Sequence, residues 1–163
     1  MGLGKTIQAI GTAELMRKHQ FISSALIICP TSLKYQWKKE IERFTDAKAI
    51  VVEGNHLTRK VLYGAEEFYK IVSYNSVCND IKILKSLHTD FLIMDEVQRL
   101  KNWNTQISKA ARHIESDYSV ILSGTPLENK LEDLYSIMQF VDQFCLGPYY
   151  QFLDQTVVRS DTG

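Results

Sequence analysis

Apolar segments of strand length alternate along the chain with segments whose apolar residues recur at helical spacing. The five strand-length segments are apolar nearly throughout and contain no glycine or proline; they are residues 25–29, 49–52, 70–73, 91–94 and 120–122. A strand that is apolar on both sides is typical of a parallel sheet covered by helices. The alternation therefore predicts an α/β fold with helices on both faces of the sheet.

Each intervening segment carries one apolar stripe, which predicts a helix that packs on the sheet. The stripes are Ile7, Ile10, Ala13 and Met16; Leu33, Trp37, Ile41 and Phe44; Val77, Ile81 and Leu84; and Ile107, Ala110, Ala111 and Ile114. A last helix is predicted after Asn129, because Glu132 completes a capping box there. Its apolar face comprises Leu131, Leu134, Tyr135, Met138 and Val141.

Composition narrows the class of protein to one globular domain over residues 1–163, with 45% hydrophobic and 23% charged residues. The longest apolar run, residues 25–29, is far too short for a membrane helix, so we expect an intracellular, cytoplasmic protein with no membrane partner. Cys29, Cys78 and Cys145 are odd in number and widely spaced, which excludes a disulfide framework and a zinc ribbon. Lys plus Arg and Asp plus Glu both total 19, so bulk charge does not indicate a polyanion partner.

The first residues match the second half of a phosphate-binding loop, G-x-x-x-x-G-K-[ST]. In Gly2-Leu3-Gly4-Lys5-Thr6 the glycines let backbone N–H groups surround phosphate oxygens. Lys5 would reach the β- and γ-phosphates of ATP, and the Thr6 hydroxyl would bind Mg²⁺. Because no strand precedes this half motif, we expect the sequence to be an excerpt of a longer chain. A competing interpretation is an N-myristoylation signal, M-G-x-x-x-[ST], which requires Met1 to be a true initiator.

An acidic pair, Asp95-Glu96, directly follows the apolar segment 91–94. Nucleotide hydrolases place a metal-holding aspartate and a water-activating acid at this edge of the sheet. Asp95 would hold Mg²⁺ directly or through water, and Glu96 would activate the attacking water. The alternative is a surface turn in which two acids end a strand.

Five sequence blocks in order resemble the Swi/Snf-type helicase-like ATPases of superfamily two, especially their bacterial members. The blocks are residues 1–8 (motif I), 28–33 with Trp37 and Glu40 (Ia), Ser73-Tyr74 (Ib), 95–98 with 99–102 (II) and 122–129 (III). The resemblance implies the RecA-like first lobe of a P-loop motor, a helicase ATP-binding domain truncated inside motif I. Such a motor hydrolyses ATP while gripping duplex DNA.

The resemblance also implies a second helicase lobe, with arginine fingers, in the same full-length chain. We therefore expect the isolated lobe to bind and hydrolyse ATP weakly. In a bacterium the protein would associate with the nucleoid. Two alternatives stay open: an RNA-directed helicase of the same superfamily, and a non-catalytic module that binds nucleotide or docks a partner.

Roles for individual residues follow from the same resemblance. Lys5, Glu96 and Gln98 would act in catalysis, although Val97-Gln98 stands where many relatives have Ala-His. Ser123, Gly124 and Thr125 would couple the γ-phosphate state to the DNA-facing surface, or would only form a turn. The DNA-contact candidates are Pro30, Thr31, Ser32, Lys34, Ser73 and Tyr74.

The contacts expected at Pro30-Thr31-Ser32 follow from hydroxyls and free N–H groups at a helix start, with Lys34 as a nearby point charge. A helix N-cap is the alternative. Contacts of this kind hold the DNA backbone and carry no sequence specificity. We expect Trp37 to lie in the core and Trp103 to pack on the fold. The four histidines show no metal-ligand spacing.

Overall fold

The computed structural model describes residues 4–100, 106–124, 135, 138, 147–149 and 151, without the side chains of residues 99, 100 and 108. Five parallel strands form one sheet in the order β2-β3-β1-β4-β5. The strands are β1 (Ala25–Cys29), β2 (Ala49–Val51), β3 (Tyr69–Ser73), β4 (Thr89–Asp95) and β5 (Ser116–Leu122). The predicted α/β fold with a parallel sheet is confirmed.

Helix α1 (Lys5–Lys18) precedes β1, and a helix lies between each later pair of consecutive strands, as parallel pairing requires. These connecting helices are α2 (Lys34–Phe44), α3 (His56–Tyr63), α4 (Tyr74–Leu84) and α5 (Gln106–Ala111). Two short 3-10 turns, Thr31–Leu33 and Val97–Leu100, follow β1 and β4. None of the helices in the described ranges is both long enough and apolar enough to span a bilayer.

The core has two halves, one on each face of the sheet. On one face α1 and α2 contribute buried residues such as Ile10 and Trp37. On the other face α4 and α5 contribute residues such as Val77 and Ala111. Every residue of β1, the central strand, is buried. Its continuous apolar sequence is therefore explained by burial on both sides.

The predicted elements differ from the structure in two respects, and one predicted helix lies mostly outside the described residues. Ile7 and Phe44, predicted to pack on the sheet, are each 48% exposed because they lie at helix ends. Helix α3 was not predicted, since Leu57 and Val61 face solvent and only Tyr63 is buried. The predicted last helix lies outside the described residues apart from residues 135 and 138, which are helical.

The carboxyl ends of four neighbouring strands are level with one another. Cys29 of β1 pairs with Ser73 of β3, Ile28 pairs with Met94 of β4, and Asp95 pairs with Leu122 of β5. Segments that leave these strands therefore emerge along one edge. In open parallel sheets this carboxyl edge is where ligands bind.

Candidate active site

Helix α1 begins at the carboxyl edge with Lys5 directed towards the end of β5. Gly4 adopts a left-handed conformation, φ 67°, and its carbonyl accepts the first helical hydrogen bond from Gln8 N at 2.9 Å. Lys5 Nζ donates to the main-chain oxygen of Ser123 at 2.9 Å. The first turn of α1 contains no acidic residue, so its positive end is not neutralised from within the helix. The candidates Gly2 and Leu3 lie outside the described residues.

Asp95 ends β4 and is held by two aromatic side chains. Trp37 Nε1 donates to Asp95 Oδ2 at 2.9 Å, and Tyr74 Oη donates to the Asp95 main-chain oxygen at 2.7 Å. Asp95 is only 8% exposed. Burial raises the pKa of the Asp95 carboxyl above its ordinary value, and Glu96 adds to the rise, while the Trp37 hydrogen bond and Lys5 oppose it. A cation at this carboxylate would offset the cost of its burial.

Glu96 follows in a left-handed backbone conformation, φ 55°, which is uncommon for a residue with a side chain. Gln98 Nε2 donates to Glu96 Oε2, and Ser123 Oγ donates to Gln98 Oε1 at 2.8 Å. With the Lys5 bond to the Ser123 carbonyl, these contacts form one hydrogen-bonded chain, Lys5-Ser123-Gln98-Glu96. The chain links three separate segments, since Lys5 is 118 residues from Ser123 and Gln98 is 25 residues from it.

Gly124 faces the polar ends of this chain. A Cβ atom at Gly124 would lie 3.5 Å from Gln98 Nε2, 3.8 Å from Lys5 Nζ and 3.9 Å from Glu96 Oε2. An ammonium, an amide and a carboxylate therefore converge on one small space. This set of groups can neutralise an anion and accept a proton from water. Thr125, the third predicted coupling residue, lies outside the described residues.

The segment after β1 contains four of the residues predicted to contact DNA: Pro30, Thr31, Ser32 and Lys34. Thr31 and Ser32 are exposed, whereas Pro30 is buried. Neither the 3-10 turn nor α2 has a side-chain N-cap, so the two hydroxyls do not serve as helix caps. Lys34 is 7% exposed and its Nζ lies 2.6 Å from Glu53 Oε2. Lys34, predicted as a point charge near DNA, is thus buried and paired with this carboxylate.

Ser73 and Tyr74, also predicted to contact DNA, are both buried in this lobe. The Ser73 hydroxyl caps α4 by accepting a hydrogen bond from Ser76 N. The Tyr74 hydroxyl is turned inwards to Asp95. The physical reason is that β3 is an interior strand, flanked by β1 and β2, so its end is enclosed by its neighbours.

Sequence reasoning missed the contacts that surround Asp95. It assigned Trp37 to the core, and the side chain is 1% exposed, but the indole also donates to a carboxylate 58 residues away. Cys29 lies in the same region; burial, with Asp95 nearby, raises the pKa of its thiol to about 12. The thiol is therefore neutral and acts as a small core group. Local spacing carries no signal for these pairs, since strand pairing and the packing of α2 on the sheet bring them together.

Three comparisons with known proteins agree with this architecture. The family profile of the SNF2-related domain matches residues 1–160. The ATP-dependent helicase MG018 of Mycoplasma genitalium is 35% identical over 158 residues, covering 95% of this chain and 15% of that protein. The ISWI chromatin-remodeling complex ATPase ISW1 of Saccharomyces cerevisiae is 32% identical over 148 residues, covering 86% of this chain and 13% of that protein.

Among solved structures, the Sulfolobus solfataricus SWI2/SNF2 ATPase core in complex with dsDNA superposes with a TM-score of 0.84. It is 33% identical, and the match covers 94% of this chain and 32% of the solved one. The sequence thus spans only a small part of the relatives that it matches.

Proposed function

This chain belongs to the SNF2-related domain family, and on that premise we propose that it is the ATP-binding lobe of a DNA-dependent ATPase. The full-length protein would couple ATP hydrolysis to movement on duplex DNA or to remodelling of protein–DNA complexes. The observation that supports this most directly is the Lys5-Ser123-Gln98-Glu96 chain around Gly124. It joins a phosphate-binding cation to a water-activating carboxylate.

The residues at the edge suit Mg-ATP in charge and donor type. Lys5 bonds to a neutral carbonyl, which is a weaker partner for an ammonium than a phosphate oxygen would be. The Asp95 carboxylate and the Thr6 hydroxyl offer the hard oxygen ligands that Mg²⁺ prefers. Bound Mg²⁺ would neutralise negative charge on the phosphates. Gly4 and the start of α1 would direct N–H groups at the same phosphates.

Hydrolysis requires a group that orients water and takes its proton. We assign this role to Glu96, whose carboxylate accepts a hydrogen bond from Gln98. The Gln98 amide oxygen accepts from Ser123, so a change at the γ-phosphate would be transmitted to the segment after β5. Ser123, Gly124 and Thr125 would then act as the coupling segment.

The DNA partner is proposed from family membership and from the exposed turn after β1. A solved relative was obtained in complex with dsDNA. In this chain the hydroxyls of Thr31 and Ser32 are exposed beside the carboxyl edge, where they would contact the DNA backbone without reading bases. A second helicase lobe of the full-length chain would close the site. Such an enzyme would work in the cytoplasm, at the nucleoid if the source is bacterial.

The test uses the intact protein and compares Glu96→Gln with wild type and with Glu66→Gln, an exposed glutamate elsewhere. Glu96→Gln is expected to retain Mg-ATP binding and to lose about 10²- to 10⁴-fold in DNA-stimulated turnover. Glu66→Gln is expected to match wild type. Normal turnover in Glu96→Gln would refute the proposed base.

The nucleic acid added to the same assay separates the alternatives. Duplex DNA of any sequence is expected to stimulate turnover, and binding is expected to weaken steeply as salt rises. Stimulation by RNA with DNA inert would identify an RNA-directed helicase. Nucleotide binding without turnover in any condition would identify the non-catalytic module.

A further inference from the structure

We propose that Trp37 is a positioning residue for Asp95, fixing the orientation of the carboxylate that would hold Mg²⁺. This inference rests on the proposed function, because it concerns the same metal-holding group. It adds a residue that has no predicted role beyond core packing.

The contact has the geometry and surroundings of a fixed hydrogen bond. Trp37 Nε1 and Asp95 Oδ2 are 2.9 Å apart, and both residues are buried. An indole has a single polar hydrogen and no acceptor, so this contact satisfies all of its hydrogen-bonding capacity. The ring is enclosed by the core on the α1 and α2 face of the sheet, which leaves it little freedom to rotate.

Side-chain and main-chain restraints on Asp95 come from different residues. Tyr74 donates to the main-chain oxygen and so fixes the end of β4. Trp37 donates to the carboxylate itself and so fixes its rotation about the bond that joins it to Cβ. A metal ligand that is oriented before the metal arrives loses less conformational entropy on binding. Hydrogen bonds to a ligating carboxylate therefore strengthen metal affinity.

The position of Trp37 on α2 adds a second consequence. Helix α2 begins at Lys34, immediately after the exposed turn that holds Thr31 and Ser32. A shift of α2 would move the indole, and the indole would turn the Asp95 carboxylate. The hydrogen bond thus connects the proposed DNA-facing turn with the metal-holding group through one helix.

The experiment measures Mg²⁺-dependent nucleotide binding by the intact protein, with a fluorescent ATP analogue titrated at several Mg²⁺ concentrations. Trp37→Phe keeps an aromatic ring and removes the N–H donor. The matched control is Tyr63→Phe, which removes a buried hydroxyl that donates to Asp80 Oδ2 at 3.2 Å, far from the site. Trp37→Phe is expected to weaken Mg²⁺ affinity about 10- to 100-fold. Without Mg²⁺, the nucleotide affinity of Trp37→Phe is expected to stay within about twofold of wild type. For Tyr63→Phe, both the Mg²⁺ affinity and the Mg²⁺-free nucleotide affinity are expected to stay within the same range.

Loss of nucleotide binding to the same degree with and without Mg²⁺ would overturn the proposal, because it would mean that Trp37 only supports packing. Unchanged Mg²⁺ affinity would overturn it directly. If Trp37→Phe does not fold, benzothienylalanine at position 37 replaces the N–H by sulfur at nearly constant shape and gives the same comparison. The variant Asp95→Asn distinguishes failure of the Trp37 role from failure of the proposed function. If Asp95→Asn loses the Mg²⁺ dependence and both position-37 variants keep it, the positioning role of Trp37 is refuted and the proposed function is not. If the wild-type protein shows no Mg²⁺ dependence, the proposed function itself is refuted.

Discussion

Replacing Gly124 by alanine is expected to impair turnover while leaving the fold at least as stable. The new methyl carbon would sit 3.5 Å from Gln98 Nε2, 3.8 Å from Lys5 Nζ and 3.9 Å from Glu96 Oε2, which are ordinary contact distances. The glycine does not occupy the left-handed region, so alanine fits its backbone. Restricting the unfolded chain should then raise the free energy of unfolding by about 0.4–1 kcal/mol.

The same methyl group would occupy the space in which, under the proposed function, a phosphate and a water would meet the three polar groups. Displacement of reacting atoms by about 1 Å can cost about 10²-fold in rate, so we expect DNA-stimulated turnover to fall by about that factor. Urea unfolding gives the stability, and phosphate release by the intact protein gives the rate. The matched control is Gly11→Ala in α1, where an added Cβ meets no atom within 4 Å. This substitution should raise the free energy of unfolding by about 0.8–1 kcal/mol and leave turnover unchanged. Full turnover in Gly124→Ala would refute the idea that these groups surround the reacting atoms.

Three further predictions concern separate parts of the chain. Lys5→Ala should remove most nucleotide affinity or turnover of the intact protein, because no other residue from 1 to 6 has a cationic side chain. Nucleotide titration and phosphate release measure this, and wild-type values would refute the phosphate-loop assignment. Ser73→Ala should lower the free energy of unfolding by about 0.5–2 kcal/mol through loss of the α4 cap, and should leave DNA affinity unchanged. Weaker DNA binding at normal stability would instead identify Ser73 as a DNA contact. The hydrogen bond to Asp117 raises the pKa of His88 in the folded protein. The stabilisation that this ion pair gives the fold is therefore complete below the ordinary histidine pKa of about 6.5 and is lost as pH rises through the raised pKa. Unfolding curves of His88→Gln should lack this pH dependence.

The strands could be predicted from the sequence because burial on both faces leaves a continuous apolar pattern. The segment 25–29 matches β1 at both ends. Strands β4 and β5 begin earlier than predicted, at Thr89 and Ser116, since their first residues carry polar side chains that the pattern excludes. Helix α3 was not predicted, because its apolar residues Leu57 and Val61 face solvent and break the apolar stripe that marks a helix packed on the sheet.

The predictions of a phosphate loop and an acidic pair rest on adjacent residues, and the structure joins Lys5 and Glu96 in one hydrogen-bonded chain. The burial of Lys34 and its pairing with Glu53 could not be predicted, since a local motif does not reveal whether a side chain will be buried. The bond from Trp37 to Asp95 could not be predicted at all. It depends on how α2, the helix after β1, packs on the sheet and brings Trp37 to the end of β4, which is a property of the folded chain.

The left-handed backbone of Glu96 has a consequence for how such a domain would change over evolutionary time. A residue with an ordinary side chain is held there at a cost of about 1–2 kcal/mol, whereas asparagine and glycine tolerate the conformation. Only the demand for a carboxylate at the reacting water would keep glutamate at this position. A copy of the domain released from that demand would gain stability by drifting to asparagine or glycine at position 96. Either residue in an otherwise intact copy would therefore mark a lineage that has kept the fold and given up hydrolysis.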